Sequence, residues 1–328
     1  MTSLANICVV IPTYNAEKTI GAAVLSALAQ PEVVEVIVVD DCSSDKSAES
    51  AEKAGAGDAR LTVIRQQKNG GPAAARNAAL QASRADFIAL LDSDDVYAPQ
   101  RFSKIVADEP FDMIADNIAF VPEDRILDDL FFSGLAESEA DCSVISLENM
   151  IEGNISRPGE HRAELGFLKP IISRAFLEKH GLKYQSDLRL GEDFDLYLKM
   201  LAKGAVFLKC NNVGYVARVR ADSLSGSHSG RDLEALYHSV RASRDNFEMS
   251  HSCQNQLDNY LSQLRQRFLL HRFLETKREN GLLAAALYSV RPLSRFLPIS
   301  TAVLRDKLQP DRTEKAQEVP AIRYLYPV

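Results

Sequence analysis

The chain has 328 residues, 46% of them hydrophobic and 25% charged, which fits one large globular domain or two smaller ones and excludes wholesale disorder. The net charge of −7 argues against a general nucleic-acid binder. Tryptophan is absent, which excludes every motif built on an indole.

The amino-terminal half alternates strand and helix patterns. Ile7–Ile11 is a short apolar run ending at Pro12, too short for a signal peptide and suited to a strand covered on both faces. Ala16–Ala29 places Ile20, Ala23, Val24, Ala27 and Leu28 at helical spacing. Val34–Val39 reads as a second buried strand, ending in Asp40-Asp41, and a helix capped by Ser43 or Ser44 follows. Leu61–Arg65 is a third strand. The turn Lys68–Pro72 leads into an Ala-rich helix over 73–82, with Pro72 at its start. Asp86–Leu91 is a fourth strand, ending in Asp92-Ser93-Asp94-Asp95. Such alternation predicts a mostly parallel sheet flanked by helices, with ligands at the carboxyl ends of the strands.

The middle is less regular. A strand over Phe111–Val121, a short helix ended by Gly181, a helix opened by Gly191-Glu192-Asp193, and a strand over Val213–Val219 are expected. From residue 231 the pattern turns helical and the net charge changes from −11 to +4. These shifts divide the chain into 1–230 (a donor half to about 120, an acceptor half after it), a helical extension over 231–309, and a tail over 310–328. The five cysteines (Cys8, Cys42, Cys142, Cys210, Cys253) are dispersed without a Cys-x-x-Cys pair, so reduced thiols in a cytoplasmic protein are expected. No stretch reaches the ~18 apolar residues of a membrane-spanning helix.

Several local patterns carry chemistry. Three carboxylates among Asp92-Ser93-Asp94-Asp95 repel one another in a cleft, and a divalent cation such as Mg²⁺ or Mn²⁺ offsets that repulsion. The alternative is a solvated acidic turn. Asp41 can accept from a nucleoside or simply help cap a helix. In Pro12-Thr13-Tyr14-Asn15, Tyr14 can lie against a base, or the segment is a plain turn capped by Asn15. Arg76 can reach a carboxylate or phosphate, or sit on the surface. Glu192 and Asp193 can complement a helix dipole or face the cleft as a general base. His228 lies in a polar loop. No Gly-x-Gly-x-x-Gly or phosphate-loop lysine motif is present, so dinucleotide and P-loop readings fall.

Taken in order, the strings Val9–Asn15, Ile37–Asp45, Asn69–Asn77, Leu90–Asp95 and Gly191–Asp193 resemble glycosyltransferase family 2 over roughly residues 5–225. The resemblance implies an α/β GT-A (Rossmann-like) fold with a carboxyl-terminal helical extension, a nucleotide-diphosphate-sugar donor (UDP-sugar), a divalent metal and inversion at the anomeric carbon. It implies donor contacts at Pro12, Thr13, Tyr14, Asn15, Asp41, Arg76, Asp92, Ser93 and Arg220. It also implies metal contacts at Asp94 or Asp95 and at His228, and Asp193 as base with Glu192 beside it. The processive members' Gln-x-x-Arg-Trp motif cannot occur here, which favours single addition by a hexosyltransferase. Between Arg265 and Lys307 nine basic and three acidic residues interleave with leucines. Those faces can lie on an anionic membrane at the inner face of the plasma membrane, pack on the catalytic domain, or form a homodimer interface. The expected acceptor is a glycan or glycolipid in surface polysaccharide synthesis. A non-catalytic sugar-nucleotide-binding protein is the competing reading.

Overall fold

The apolar run Ile7–Ile11 has no exposed surface, and burial of each such side chain stabilises the fold by about 1.5–3 kcal/mol. This run is the centre of β1 (Ile7–Thr13), around which the sheet is assembled. The computed structural model describes residues 5–105, 109–135, 141–157, 165–219, 229–301 and 322–327. In its first part β1, α1 (Ile20–Leu28), β2 (Val33–Asp40), α2 (Ser47–Ala54), β3 (Leu61–Arg65), α3 (Pro72–Ala82) and β4 (Phe87–Leu90) alternate as the sequence predicts. The order β3-β2-β1-β4 is parallel throughout.

The second part completes a mixed sheet of order β3-β2-β1-β4-β8-β6-β9-β5. Its strands are β5 (Val96–Tyr97), β6 (Met113–Pro122), β7 (Cys142–Val144), β8 (Ile171–Ser173) and β9 (Phe207–Val219). β8 is antiparallel to both β4 and β6, whereas β6 and β9 are parallel. The parallel character expected of the whole sheet therefore belongs mainly to the first four strands. Between these strands lie α4 (Asp129–Ser133), α5 (Leu147–Glu152), α6 (Arg174–His180) and α7 (Glu192–Ala202). After them come α8 (Gly230–Asn246) and α9 (His251–Val290), which pack on each other and, through Leu257, Leu261 and Leu264 of α9, join the main core. Among the described residues no helix is long and apolar enough to cross a membrane.

Two expectations need correction. Cys142 and Cys210 are not separate thiols: they are register partners across the antiparallel β7–β9 pair and form a disulfide. Their 68-residue separation hides this pairing from the sequence. The segment after Pro310 is not wholly a tail. Its described part, residues 322–327, returns to the sheet as β10 (Arg323–Tyr324), antiparallel to β6. Leu325 is buried in the core, and the Tyr326 hydroxyl donates to the Cys210 carbonyl at 2.5 Å. An apolar residue flanked by tyrosines supplies the burial that holds this short strand.

Candidate active site

The carboxyl ends of β1, β2 and β4 deliver three sequence motifs to one sheet edge, as parallel topology requires. At β1, Thr13 is buried and its hydroxyl donates to the Ile11 carbonyl. Pro12 lies in register with Val39. Tyr14 projects outward and is 52% exposed. Asn15 accepts from the Ser44 amide at 2.8 Å, and its own amide donates to the Ser43 hydroxyl at 2.9 Å. The first motif is thereby fixed to the turn after β2, with Tyr14 and Asn15 exposed to solvent.

At β2, Asp40 and Asp41 divide the work. Asp40 accepts from the Ser43 hydroxyl, and the expected cap at Ser43 or Ser44 is not formed, because α2 begins at Ser47 with Lys46 at its N-cap position and no side-chain cap. Asp41 is buried and accepts from the Gly70 and Gly71 amides at 2.7 Å each. It therefore organises the Gly-Gly-Pro turn that starts α3. Arg189 donates to the Asn69 side chain at 2.9 Å and closes the same turn from outside.

α3 carries Arg76 inward. The helix buries Ala73, Ala75 and Ala79 against the sheet, and Arg76 is buried with them. Its Nη1 donates to Glu192 Oε1 at 2.5 Å and lies 3.5 Å from Asp193 Oδ1, and its Nη2 donates to Asp92 Oδ1 at 3.2 Å. The ring of Tyr184 lies against the guanidinium, 5.4 Å from centroid to Cζ. Burial works against the Arg76 charge, yet Asp193, Glu192 and Asp92 outweigh it and raise its pKa well above the ordinary value.

Lys169 is a central residue the sequence reading missed. Its Nζ stands 2.9 Å from Asp92 Oδ2 and 3.1 Å from Asp193 Oδ2. Its carbonyl accepts from Arg101 at 2.8 Å, and the carbonyl of Leu168 accepts from the Tyr197 hydroxyl at 3.0 Å. Two core side chains thus hold the backbone from which the ammonium reaches the site. Burial opposes its charge, but Asp193 and Asp92 more than compensate, so the pKa is raised and the group stays cationic. In turn, partial burial raises Asp92, but Lys169 and Arg76 prevail and its pKa falls. The one available signal was a lysine set between Leu168 and Pro170-Ile171-Ile172, since a charge in an apolar run needs a partner.

The result is a buried cluster in which Arg76 and Lys169 link the acid after β4 to the acids opening α7. Three carboxylates (Asp92, Glu192, Asp193) face two cations. Arg76 Nε, Asp193 Oδ1 and the Tyr184 hydroxyl are buried without hydrogen-bond partners among the described residues. Unmade bonds of this kind are costly in a closed core and suit a site completed by ligand.

The remaining acids separate. Asp95 is buried, accepting from the Tyr215 hydroxyl at 2.7 Å and from the Arg218 amide at 2.9 Å. Burial and the nearby Asp92 and Asp94 charges raise its pKa well above the ordinary carboxylate value. Both of its oxygens are engaged with the protein. Ser93 and Asp94 are half-buried. Among the described residues no three His, Cys, Asp or Glu side chains are grouped to hold a metal. Arg220 and His228 lie outside the described residues. A Mg²⁺ or Mn²⁺ ion bound through one or two carboxylates and substrate phosphates needs no such all-protein cage.

Comparison with known proteins matches this arrangement to a family. Residues 8–128 match the profile "Glycosyl transferase family 2". The chain is 41% identical over 316 residues to "Succinoglycan biosynthesis protein ExoU" of Rhizobium meliloti (strain 1021), covering 94% of this chain and 90% of that one. It is 30% identical over 225 residues to the Escherichia coli protein "UDP-Glc:alpha-D-GlcNAc-diphosphoundecaprenol beta-1,3-glucosyltransferase WfaP", covering 67% and 80%. Among solved structures, S. aureus TarS 1-349 in complex with UDP superposes with a TM-score of 0.57 at 21% identity, covering 90% of this chain and 80% of that one. With the GT-A architecture and near full-length similarity in hand, the chain belongs to glycosyl transferase family 2 and is a glycosyltransferase.

Proposed function

We propose that the protein moves one hexosyl unit from a UDP-sugar to a hydroxyl of a lipid-linked glycan in polysaccharide synthesis, with inversion, at the inner face of the plasma membrane. The observation that carries this reading is the Arg76–Lys169 bridge, which sets Asp92 at the donor edge against Asp193 on α7. The relatives support its direction. ExoU is named for succinoglycan biosynthesis and WfaP for a diphosphoundecaprenol acceptor and a UDP-glucose donor. TarS was solved with UDP.

Each residue then has a role. Tyr14 offers its exposed ring to the nucleobase, beside Thr13, Asn15 and the Asp41-braced turn. Asp92 faces the nucleotide sugar, with Ser93 next to it. Asp94, whose neighbour Asp95 has both oxygens engaged with the protein, would hold a divalent cation, which would supply neutralisation of the leaving group's charge. Asp193 accepts the acceptor hydroxyl's proton at Oδ1, which has no hydrogen bond and lies 3.5 Å from Arg76, while Lys169 holds Oδ2. Glu192 anchors Arg76 instead of acting as the base. One carboxylate suffices, because a diphosphate leaves without a proton.

UDP release from a panel of UDP-sugars, with a lipid-linked acceptor and with or without Mn²⁺, tests the reading. Asp193→Asn is expected to bind UDP normally and lose about 10²–10⁴-fold in turnover. Full activity in that variant rejects the base. Binding without release for every donor supports the non-catalytic alternative.

A further inference from the structure

The basic, leucine-rich segment over 265–307 is not one surface. Its first part is core: Phe268 and Leu269 are buried and Phe273 packs beside them. Residues 302–307 lie outside the described residues. The boundary is Gly281, whose φ of 83° breaks the helical path of α9. Beyond it Ala285 and Ile299 are buried and Tyr288 is half-buried, which fastens one side of the arm. Arg265 donates to the Ser294 carbonyl at 3.2 Å, and the Arg295 guanidinium lies 4.4 Å over the Tyr288 ring. The turn after α9 is thereby tied back to the protein.

The other side of the arm is apolar and open. Leu283 is 83% exposed, Leu293 79%, Leu297 72% and Leu282 65%, with Leu287 and Phe296 more than half exposed. Six large apolar side chains this exposed within residues 282–297 mark an interaction surface. From Asn280 to Thr301 there is no Asp or Glu, and Arg291 and Arg295 are the charged residues.

We infer that this arm is a docking surface for an anionic lipid bilayer. Exposed leucines with a phenylalanine suit the acyl boundary, and Arg291 and Arg295, the charged residues of the segment 280–301, suit lipid phosphates. The helical piece Leu282–Val290 is about 13 Å long against a hydrocarbon core of about 30 Å, so it lies in the interface and does not cross. A second copy fits less well. A two-fold interface would set the patch on itself and bring its arginines together with no carboxylate in the segment to pair them. The inference rests on the patch and not on the transferase reading.

Flotation of the full chain with phosphatidylcholine vesicles and with phosphatidylcholine–phosphatidylglycerol vesicles tests it. The protein should float with the anionic mixture, less with the neutral one, and less again at high salt. Leu283→Glu/Leu287→Glu should lower the vesicle-bound fraction by at least about tenfold while melting at the same temperature. Because flotation needs no turnover, its failure removes the membrane location and leaves the sugar-transfer reading standing. No flotation of the wild-type chain with either vesicle, or equal flotation of the folded double variant, overturns the inference. So does a dimer in light scattering that the double variant abolishes. If the double variant does not fold, the wild-type vesicle and salt comparison decides alone.

Discussion

Two buried clusters of cations and carboxylates meet at Lys169, and they are built to opposite ends. In one, Arg101 and Asp116 face each other with almost no solvent exposure: Nε donates at 2.8 Å and Nη2 at 2.6 Å to the two carboxylate oxygens. The rings of Tyr97, Phe102 and Tyr215 surround the guanidinium at 4.4–5.4 Å. Charges cancel and both acid oxygens are bonded, and the pair's one orphan among the described residues, Arg101 Nη1, is a donor rather than an acid oxygen. In the other, Arg76 and Lys169 meet three acids, one charge is in excess, and Asp193 Oδ1 and the Tyr184 hydroxyl have no hydrogen bond. The same residue types make a closed structural pin in one place and an incomplete, ligand-ready site in the other. What separates them is charge balance and whether every acid oxygen is bonded, not composition. The two are joined, because Arg101 also holds the Lys169 carbonyl.

The comparison breaks most severely at the closed pair. Asp116→Ala leaves Arg101 charged in an apolar box, and the expected cost is about 3–5 kcal/mol of folding stability, read as a shift in urea midpoint. Loss below about 1 kcal/mol would mean that the pair is solvated and is no pin. A steric attack on the same pin comes next. A Cβ at Gly214 would stand 2.0 Å from Asp116 Oδ2 and 2.5 Å from Arg101 Cγ. Gly214→Ala should therefore cost about 1–3 kcal/mol by overpacking, measured the same way.

The two clusters also differ in how far the sequence discloses them. The donor edge was legible because each element is local: Ile7–Ile11 and Val34–Val39 are apolar runs, and Asp41, Asp92 and Asp94 follow directly on strands. Topology alone then brings them together. Glu192 and Asp193 were legible as acids opening a helix. Lys169 was not, because its meaning depends on Asp92 and Asp193, which approach it only once β8 is inserted between β4 and β6. Arg101–Asp116, Cys142–Cys210 and the return of β10 to β6 share that property. In each case the partner is chosen by pairing of distant segments, and no local pattern records it.

The open cluster should respond in activity before stability. Lys169→Met keeps the length of the side chain but leaves the carboxylates opposed by Arg76 alone. Turnover is expected to fall about 10- to 100-fold, close to the worth of one charge-assisted bond at a buried site. The melting temperature should move less than in Asp116→Ala. Lys169→Arg should recover part of the rate. Unchanged turnover in Lys169→Met would make Lys169 a second structural pin and erase the contrast.

The smallest effect is expected where backbone geometry, not charge, sets the open cluster. Gly191 precedes the acids of α7 at φ 70°, in the left-handed region that costs a side chain about 1 kcal/mol. A Cβ there would also stand 2.8 Å from Leu236 Cδ2, the tip of a side chain on α8. That tip can yield, so Gly191→Ala should lower stability by roughly 1–2 kcal/mol, not by the full cost of a rigid clash. The start of α7 carries both Glu192 and Asp193, and a small rotation there moves Asp193 relative to Lys169 and Arg76. Turnover should then fall by more than the stability loss alone explains, at temperatures where the variant is fully folded. Adding Leu236→Ala makes room for the new methyl group and leaves the backbone strain in place. If the double variant regains turnover, contact with α8 sets the acid's position. If it does not, the left-handed turn at Gly191 sets it, and the open cluster is positioned by backbone conformation, whereas the closed one is positioned by its own ion pair.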